Sequence, residues 1–139
     1  MIWSRTSGRE DGPLLVLLHG LGATGEVYAG GEALLPDARP GWLVLDLPGH
    51  ERSGWKAAYT FTRQADAVRS MLPAARDLVI VGHSMGGAVA LELATDPRVT
   101  RRRSSLWHRG SLLVPRHVCR WTPVTTLPTI AVQVSNLRR

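Results

Sequence analysis

Acidic side chains are missing from the last third of this 139-residue chain. Asp96 is its last carboxylate, and residues 98–139 contain nine arginines and no Lys, Asp or Glu. Residues 1–97 contain 8 Lys or Arg and 11 Asp or Glu, so their net charge is −3, whereas residues 98–139 carry +9. This abrupt change predicts two regions that meet near Pro97: a folded part over 1–97 and a basic tail over 98–139.

The sequence also has little cysteine and no long apolar run. Its single cysteine, Cys119, excludes an internal disulfide and a cysteine-based metal cluster. We therefore expect neither a metal nor a cofactor. The longest apolar run, Leu14 to Leu18, is far shorter than a membrane span, and Arg5 follows the N-terminus without the apolar stretch of a secretory signal. We expect a cytoplasmic location and no membrane partner.

Short apolar runs alternate with helical patterns along residues 1–97, which is typical of an α/β fold. Continuous apolar runs of this length predict parallel strands that are buried on both faces by flanking helices. Residues 14–18, 42–46 and 78–81 are the predicted buried strands, 1–7 is a predicted short edge strand, and the predicted helices cover 24–35, 62–72 and the residues from 85 onward.

The most informative stretch joins the predicted strand Leu78 to Val81 to the helix that follows it. Between them lies Gly82-His83-Ser84-Met85-Gly86-Gly87, which contains the pattern Gly-x-Ser-x-Gly. In a strand–turn–helix context this pattern is the signature of a nucleophile elbow. The flanking glycines leave room for a tight turn that exposes the serine hydroxyl for attack.

Two further motifs precede the elbow, each at the end of a predicted strand. They are His19-Gly20-Leu21-Gly22 and the loop Asp46-Leu47-Pro48-Gly49-His50-Glu51-Arg52-Ser53. With these three motifs in this order, residues 14–97 resemble the α/β-hydrolase superfamily, in particular its serine esterase, thioesterase and C–C hydrolase branch. Glu51 stands where that family usually has glycine. The resemblance implies a partial α/β-hydrolase fold, a mainly parallel sheet flanked by helices, followed by an anomalous basic C-terminal tail.

The resemblance also implies roles for individual residues. Ser84 is the expected nucleophile, and the backbone N–H groups of Leu21 and Met85 form the expected oxyanion hole. The expected substrate is a small molecule with an ester, thioester or related acyl bond. Six residues are expected to support the elbow and its neighbouring loop: His19, Gly20, Gly82, His83, Gly86 and Gly87.

The acid and the base of a catalytic triad are not evident in the sequence. The resemblance places both after the nucleophile, yet no carboxylate follows Asp96, and only His108 and His117 remain as candidate bases. Asp46 is a candidate for the acid, although its position at a strand end favours a role in ordering its loop. We therefore expect a truncated hydrolase that is weakly active or inactive, because a nucleophile without its partners gives only residual catalysis.

The basic tail has three interpretations. It is an out-of-frame continuation of an interrupted gene, or a divergent ending in which Thr129 to Val134 pairs onto the sheet, or an arm that binds anions through its arginines, Trp107 and Trp121. No nucleic-acid motif accompanies the arginines, so nucleic acid is not the expected partner. With no strand directly after Asp96, the edge of Leu78 to Val81 is expected to be unpaired.

A second function class remains open from the sequence. The chain is then a non-catalytic binding protein on a degraded hydrolase scaffold, or a basic adaptor that binds anions. Salt-sensitive binding of DNA or RNA that is lost when residues 98–139 are deleted is the outcome expected for an adaptor. The sequence indicates neither the particular acyl substrate nor the oligomeric state.

Overall fold

The computed structural model describes residues 1–31, 41–54, 58–74, 77–100 and 129–134. Within these ranges the chain forms strands, helices and one 3-10 turn at Gly25–Tyr28. No helix among them is long and apolar enough to cross a membrane. The elements are β1 (Trp3–Ser7), β2 (Leu14–Leu18), β3 (Gly41–Asp46), α1 (Phe61–Arg69), β4 (Leu78–His83), α2 (Met85–Thr95), α3 (Pro97–Thr100) and β5 (Thr129–Val134).

The strands form one mixed sheet in the order β1-β3-β2-β4-β5. β2 lies in the centre and pairs parallel with both β3 and β4, whereas β1 pairs antiparallel with β3 at one side. The predicted α/β class, the three predicted parallel strands and the predicted edge strand are thus confirmed. Leu18 of β2 is in register with Leu45 and with Gly82, so the three parallel strands end at the same edge of the sheet.

The main core lies between the sheet and the two longer helices. Val16, Leu18 and Ile80 of the sheet are completely buried and pack with Val68 of α1 and Leu93 of α2. Both helices present apolar side chains to this one face, and Thr60 caps α1 by accepting a hydrogen bond from the Arg63 N–H at 3.2 Å. The predicted helix over 62–72 is therefore confirmed, although it begins and ends slightly earlier.

The opposite face of the sheet carries a smaller apolar cluster of Leu17, Trp42 and Val44. β4 alternates between buried and half-buried residues, with Val81 half-buried beside this cluster. The prediction that β4 is buried on both faces is therefore wrong for the part of the chain that the structure describes. The reason is that α1 and α2 both pack on the first face, while the second face receives the half-buried Tyr28.

The predicted helix over 24–35 is replaced by the short 3-10 turn Gly25–Tyr28. Thr24 caps it as expected, since its hydroxyl accepts a hydrogen bond from the Glu26 N–H at 3.2 Å. The turn ends before Gly30, where the backbone adopts a φ of 78° that a helix cannot contain. The remainder of that prediction, from residue 32 onward, lies outside the described residues.

The edge of β4 is paired, in contrast to the sequence-based expectation. β5 runs antiparallel to β4, and its register aligns Leu78 with Val134 and His83 with Thr129. The prediction of an unpaired edge is therefore wrong, and the pairing of Thr129–Val134 onto the sheet is confirmed. A strand distant in sequence supplies the ladder that the arginine-rich segment after α3 is unsuited to form.

The loop after β3 departs from ordinary backbone geometry at Glu51. Its φ is 32°, a value that side-chain-bearing residues rarely adopt. The loop is held from both sides, because the Ser53 N–H donates to the His50 carbonyl at 2.9 Å and the Trp3 N–H donates to the Ser53 hydroxyl at 2.8 Å. These contacts impose a conformation that glycine would adopt with less strain, in keeping with the glycine that the resemblance implies at this position.

Two glycines allow α2 to begin directly against the sheet. A Cβ atom at Gly82 would lie 2.1 Å from the Gly86 carbonyl oxygen, and a Cβ atom at Gly86 would lie 2.3 Å from the Leu18 carbonyl oxygen. Both distances are far below any contact that carbon and oxygen tolerate. The turn after β4 and the approach of α2 to the end of β2 therefore require glycine at both positions.

We expect Gly86→Ala to destabilise the fold by about 1–3 kcal/mol, because the new methyl group displaces the backbone at the end of β2. The matched control is Gly54→Ala, whose Cβ atom would lie no closer than 3.6 Å to any neighbouring atom. Urea unfolding of both variants measures the difference. Equal stabilities for the two variants would show that α2 does not approach β2 this closely.

We expect Glu51→Gly to stabilise the fold by up to about 1 kcal/mol. The strain energy that is released at the positive φ exceeds the free-energy cost of the greater backbone freedom that glycine gives the unfolded chain. Glu10→Gly is the control, since Glu10 lies in an exposed turn without a positive φ. This control should leave the chain unchanged or less stable. Thermal unfolding by circular dichroism measures both, and a lower melting temperature for Glu51→Gly would contradict the strain.

Candidate functional site

Three loops meet where the parallel strands end. β2 is followed by His19 and Gly20, β3 ends at Asp46, and β4 leads through His83 to Ser84. In parallel sheets the carboxyl ends of neighbouring strands form the edge at which ligands bind. The structure therefore brings together the three motifs that the sequence presents separately.

Ser84 occupies the tight turn between β4 and α2. Its φ of 52° and ψ of −113° lie outside the helical and strand regions, and its side chain is exposed. The Ser84 carbonyl accepts the first hydrogen bond of α2, from the Gly87 N–H at 2.9 Å, while its hydroxyl makes no capping bond to the helix. The serine hydroxyl is thus left available at the edge of the sheet by a strained backbone.

Gly20 lies directly against the elbow. A Cβ atom at Gly20 would be 2.8 Å from Nδ1 of His83 and 3.4 Å from Cβ of Ser84. Any side chain here would therefore collide with the His83 ring and press on the serine. His83 is half-buried beside this glycine, and the supporting role of both residues stays a prediction.

The two expected oxyanion donors lie on either side of this contact. Leu21 follows Gly20 in the loop after β2, and it is 78% exposed. Met85 is the first residue of α2, so its N–H precedes the first hydrogen bond of the helix, which the Gly87 N–H makes. The partial positive charge of a helix N-terminus favours an anion at this place.

His19 is completely buried and uses both ring nitrogens. Nε2 accepts a hydrogen bond from the Leu47 N–H at 2.9 Å, so the proton is on Nδ1, which donates to the Gly20 carbonyl at 2.8 Å. Burial lowers the pKa of His19 and outweighs the opposing effects of the Gly20 carbonyl and Asp46. His50 stacks edge-on against this ring, with 4.9 Å between ring centres. His19 is thus a neutral hydrogen-bonding bridge between two loops.

Asp46 is completely buried and carries a charge that three groups satisfy. Its carboxylate accepts hydrogen bonds from the Gly25 N–H at 2.7 Å and from Nε and Nη2 of Arg52 at 2.6 and 3.1 Å. Burial alone would raise the pKa of Asp46, but the hydrogen bonds from Arg52 and Gly25 outweigh burial and hold it below its ordinary value. Asp46 therefore orders the loops around it, the role favoured by its position in the sequence.

Arg52 has a structural role beside the site that the sequence analysis did not predict. Its guanidinium binds Asp46, donates to Glu26 at 2.8 Å and lies 3.3 Å from the centre of the Trp3 ring. The cation thereby joins β1, the 3-10 turn and the end of β3. Its place inside the second motif was a signal, but its partners are distant in sequence and only the fold brings them together.

The described residues contain no cluster of three His, Cys, Asp or Glu side chains that could hold a metal ion. The candidate bases His108 and His117 lie outside the described residues. Of the elbow glycines, Gly86 and Gly87 are both buried in the first turns of α2. The described site therefore consists of the exposed Ser84 and the loops after β2 and β3 that lie beside it.

The chain is similar to several known proteins. The chain is 37% identical over 123 residues to the magnesium-chelatase 30 kDa subunit of Rhodobacter capsulatus, covering 76% of this chain and 39% of that protein. It is 40% identical over 93 residues to the pimeloyl-[acyl-carrier protein] methyl ester esterase of Methylococcus capsulatus, covering 67% of this chain and 35% of the esterase. The chain thus spans little more than a third of the length of these relatives.

A solved structure shows the same fold. Est816, described as an N-acyl homoserine lactone degrading enzyme, superposes with a TM-score of 0.56 at 32% identity, covering 68% of this chain and 37% of the other. Residues 15–136 match a family model described as the alpha/beta hydrolase family. The match extends past Pro97, although the three recognised motifs all lie before that residue. On the strength of this match over most of its length, the chain belongs to the alpha/beta-hydrolase family.

Proposed function

We propose that this chain acts on an ester, thioester or related acyl bond of a small molecule, with Ser84 as the nucleophile. The observation that carries the proposal is the backbone of Ser84, which has a φ of 52° at the turn from β4 into α2. A non-glycine residue in such a conformation stores strain of about 1–3 kcal/mol, which persists only where the surrounding structure imposes it. Here the imposed strain exposes a hydroxyl beside the first residues of α2.

The proposed reaction follows from the groups at this edge of the sheet. The Ser84 oxygen attacks the acyl carbon, and the carbonyl oxygen becomes an oxyanion that accepts hydrogen bonds from the N–H groups of Leu21 and Met85. The proton of Ser84 passes to a base and then to the leaving group, which departs. Water hydrolyses the resulting acyl-serine and regenerates the hydroxyl.

The histidines of the described region are poorly suited to be that base. His19 has both ring nitrogens in hydrogen bonds, and His83 lies against Gly20. His50 has its Nδ1 within 3.3 Å of the Pro48 carbonyl and packs on His19. We therefore propose that the base is His108 or His117 if this chain has one, and that without a base the chain reacts slowly.

The relatives support acyl chemistry without selecting a substrate. One is named as a methyl ester esterase, the solved structure is described as an N-acyl homoserine lactone degrading enzyme, and the substrates in both names contain acyl bonds. Another relative is a subunit of magnesium chelatase. A non-catalytic binding protein on the same scaffold is accordingly the alternative that the experiment has to exclude.

We expect a fluorophosphonate reagent to form a covalent adduct on Ser84, because an exposed serine beside oxyanion donors attacks phosphorus as it attacks an acyl carbon. Mass spectrometry of the digested protein locates the adduct. Ser84→Ala should abolish it, and Ser70→Ala, a change at the exposed end of α1, should leave it unchanged. An unlabelled Ser84 in a folded protein would contradict the proposal and favour the binding-protein alternative.

The hydrolysis of p-nitrophenyl butyrate measures whether a base is present. Without one, kcat/KM is expected to fall below about 10⁴ M⁻¹s⁻¹, the lower end of the usual range for enzymes. A faster reaction that Ser84→Ala eliminates would show that the chain contains its own base. His108→Ala and His117→Ala would then identify it.

Asp46 is expected to stabilise the fold without taking part in the reaction. Asp46→Asn should lower the free energy of unfolding by about 2 kcal/mol or more, because it removes the buried negative charge that pairs with Arg52. Glu26→Gln is the control, since Glu26 binds the same guanidinium but is about half exposed, and its loss should matter much less. The rate of Ser84 labelling per folded molecule should survive Asp46→Asn; a large selective loss would instead indicate a triad acid.

A further inference from the structure

The direction of the Leu21 N–H is fixed by a neighbouring group and not by a strand or a helix. Leu21 lies in the loop between β2 and the 3-10 turn, outside any regular element, and its side chain is exposed. Its N–H belongs to the same peptide unit as the Gly20 carbonyl. No described peptide bond is cis, and a trans peptide directs its N–H opposite to its C=O. Whatever holds the Gly20 carbonyl therefore sets the direction of the Leu21 N–H.

Two donors hold that carbonyl. Nδ1 of His19 donates to it at 2.8 Å, and the Ala23 N–H donates to it at 3.2 Å. The His19 ring is completely buried, so the Gly20 carbonyl is directed into the protein. The Leu21 N–H then points away from the buried ring. Its peptide unit begins at Gly20, the residue that lies against Ser84.

The other ring nitrogen determines whether this bond exists. The Leu47 N–H donates to Nε2 of His19 at 2.9 Å, which requires Nε2 to be unprotonated and places the proton of a neutral ring on Nδ1. The opposite tautomer would set two hydrogens against each other at Nε2 and would leave Nδ1 facing the Gly20 carbonyl without a proton. The backbone of the loop after β3 thus selects the tautomer that holds the loop after β2.

The loop after β2 is held at its far end by a second buried side chain, Asp46 at the end of β3. Asp46, which directly precedes Leu47, accepts the Gly25 N–H at 2.7 Å. Residues 20–25 are therefore held at both ends: Nδ1 of the neutral His19 donates to the Gly20 carbonyl, and the Asp46 carboxylate accepts from the Gly25 N–H.

We propose that His19 is a positioning residue that sets the direction of the Leu21 N–H through the Gly20 carbonyl, and that protonation of its Nε2 releases this direction. The inference rests on the proposed function, in which this N–H stabilises the oxyanion. Protonation converts Nε2 into a donor that faces the Leu47 N–H, so the ring must move and the Gly20 peptide loses its anchor. Acid would thereby weaken the oxyanion hole before it unfolds the protein.

The surroundings of His19 determine where this transition lies. Burial lowers its pKa, so the neutral ring persists below pH 6.5, the ordinary value, and stability from this group is lost as the pH falls through the lowered pKa. Charge on His50 would lower the pKa further, whereas the Asp46 carboxylate raises it. The titratable or charged groups on the packed elements around the ring are Glu26 and Tyr28 of the 3-10 turn, Asp46, His50, Glu51 and Arg52 of the loop after β3, and His83 of the elbow.

Two substitutions separate the two hydrogen bonds of His19. The amide nitrogen of His19→Asn occupies roughly the place of Nδ1 and can donate to Gly20, but nothing reaches the Leu47 N–H. The longer side chain of His19→Gln places its amide oxygen near the former position of Nε2, where it can accept from the Leu47 N–H. It has no donor near the Gly20 carbonyl. Each variant lacks one buried hydrogen bond, so both should lower the melting temperature by similar amounts.

The expected difference lies in reactivity and in the orientation of one amide. Fluorophosphonate labelling of Ser84 should be about 10- to 100-fold slower in His19→Gln than in His19→Asn, because only the former misdirects an oxyanion donor. Residual dipolar couplings of the ¹⁵N-labelled chain report the direction of the Leu21 N–H directly. The coupling should be native-like in His19→Asn and altered in His19→Gln. Equal couplings and equal labelling rates in the two variants would overturn the proposal.

A titration of the unsubstituted chain provides a test that does not depend on the reactivity of Ser84. The Leu21 coupling should change below pH 6.5 while the far-ultraviolet circular dichroism stays native, and this step should be absent in His19→Asn. A Leu21 N–H that changes direction only when the whole chain unfolds would refute the proposal. If Ser84 never reacts but the couplings change as expected, the proposed function is refuted and the positioning role of His19 stands.

Discussion

The close contact between the start of α2 and the end of β2 is the constraint on which the rest of the site depends. Gly86 has no side chain, so the backbone of the helix lies directly against the Leu18 and His19 carbonyls. Gly82 permits the same turn by leaving room for the Gly86 carbonyl. Because the helix begins this close to the sheet, Ser84 is forced into a left-handed conformation and its hydroxyl is exposed beside Gly20. Exposure of the serine thus follows from backbone packing.

The loops that complete the site depend on buried polar groups. His19 and Asp46 are as inaccessible as the leucines around them, yet each makes hydrogen bonds to the backbone of a neighbouring loop. Such groups are costly to bury unless they are satisfied, so the loops can take only the arrangements that satisfy them. Arg52 balances the charge of Asp46 and, through Glu26 and Trp3, extends the same arrangement to β1 and the 3-10 turn.

The sheet shows a similar dependence on partners that are remote in sequence. Its centre consists of three parallel strands that bury apolar residues, and β1 pairs with β3 at one side. At the other side β5 pairs with β4 across more than forty residues of sequence. An apolar strand with an open edge invites association with other chains, and the antiparallel pairing removes that edge from β4.

The sequence by itself determined the α/β class, the positions of the parallel strands, the helix α1 and the turn that contains Ser84. Continuous apolar runs, helical spacing and the glycines around the serine are local signals, and local sterics suffice to interpret them. The tertiary structure alone decided that β5 pairs with β4, that β4 is half-buried on one face, and that Arg52 joins Glu26, Asp46 and Trp3. It also selected the tautomer of His19. Those outcomes depend on which distant groups meet, and a pairing between remote residues leaves no periodicity in the sequence to be recognised.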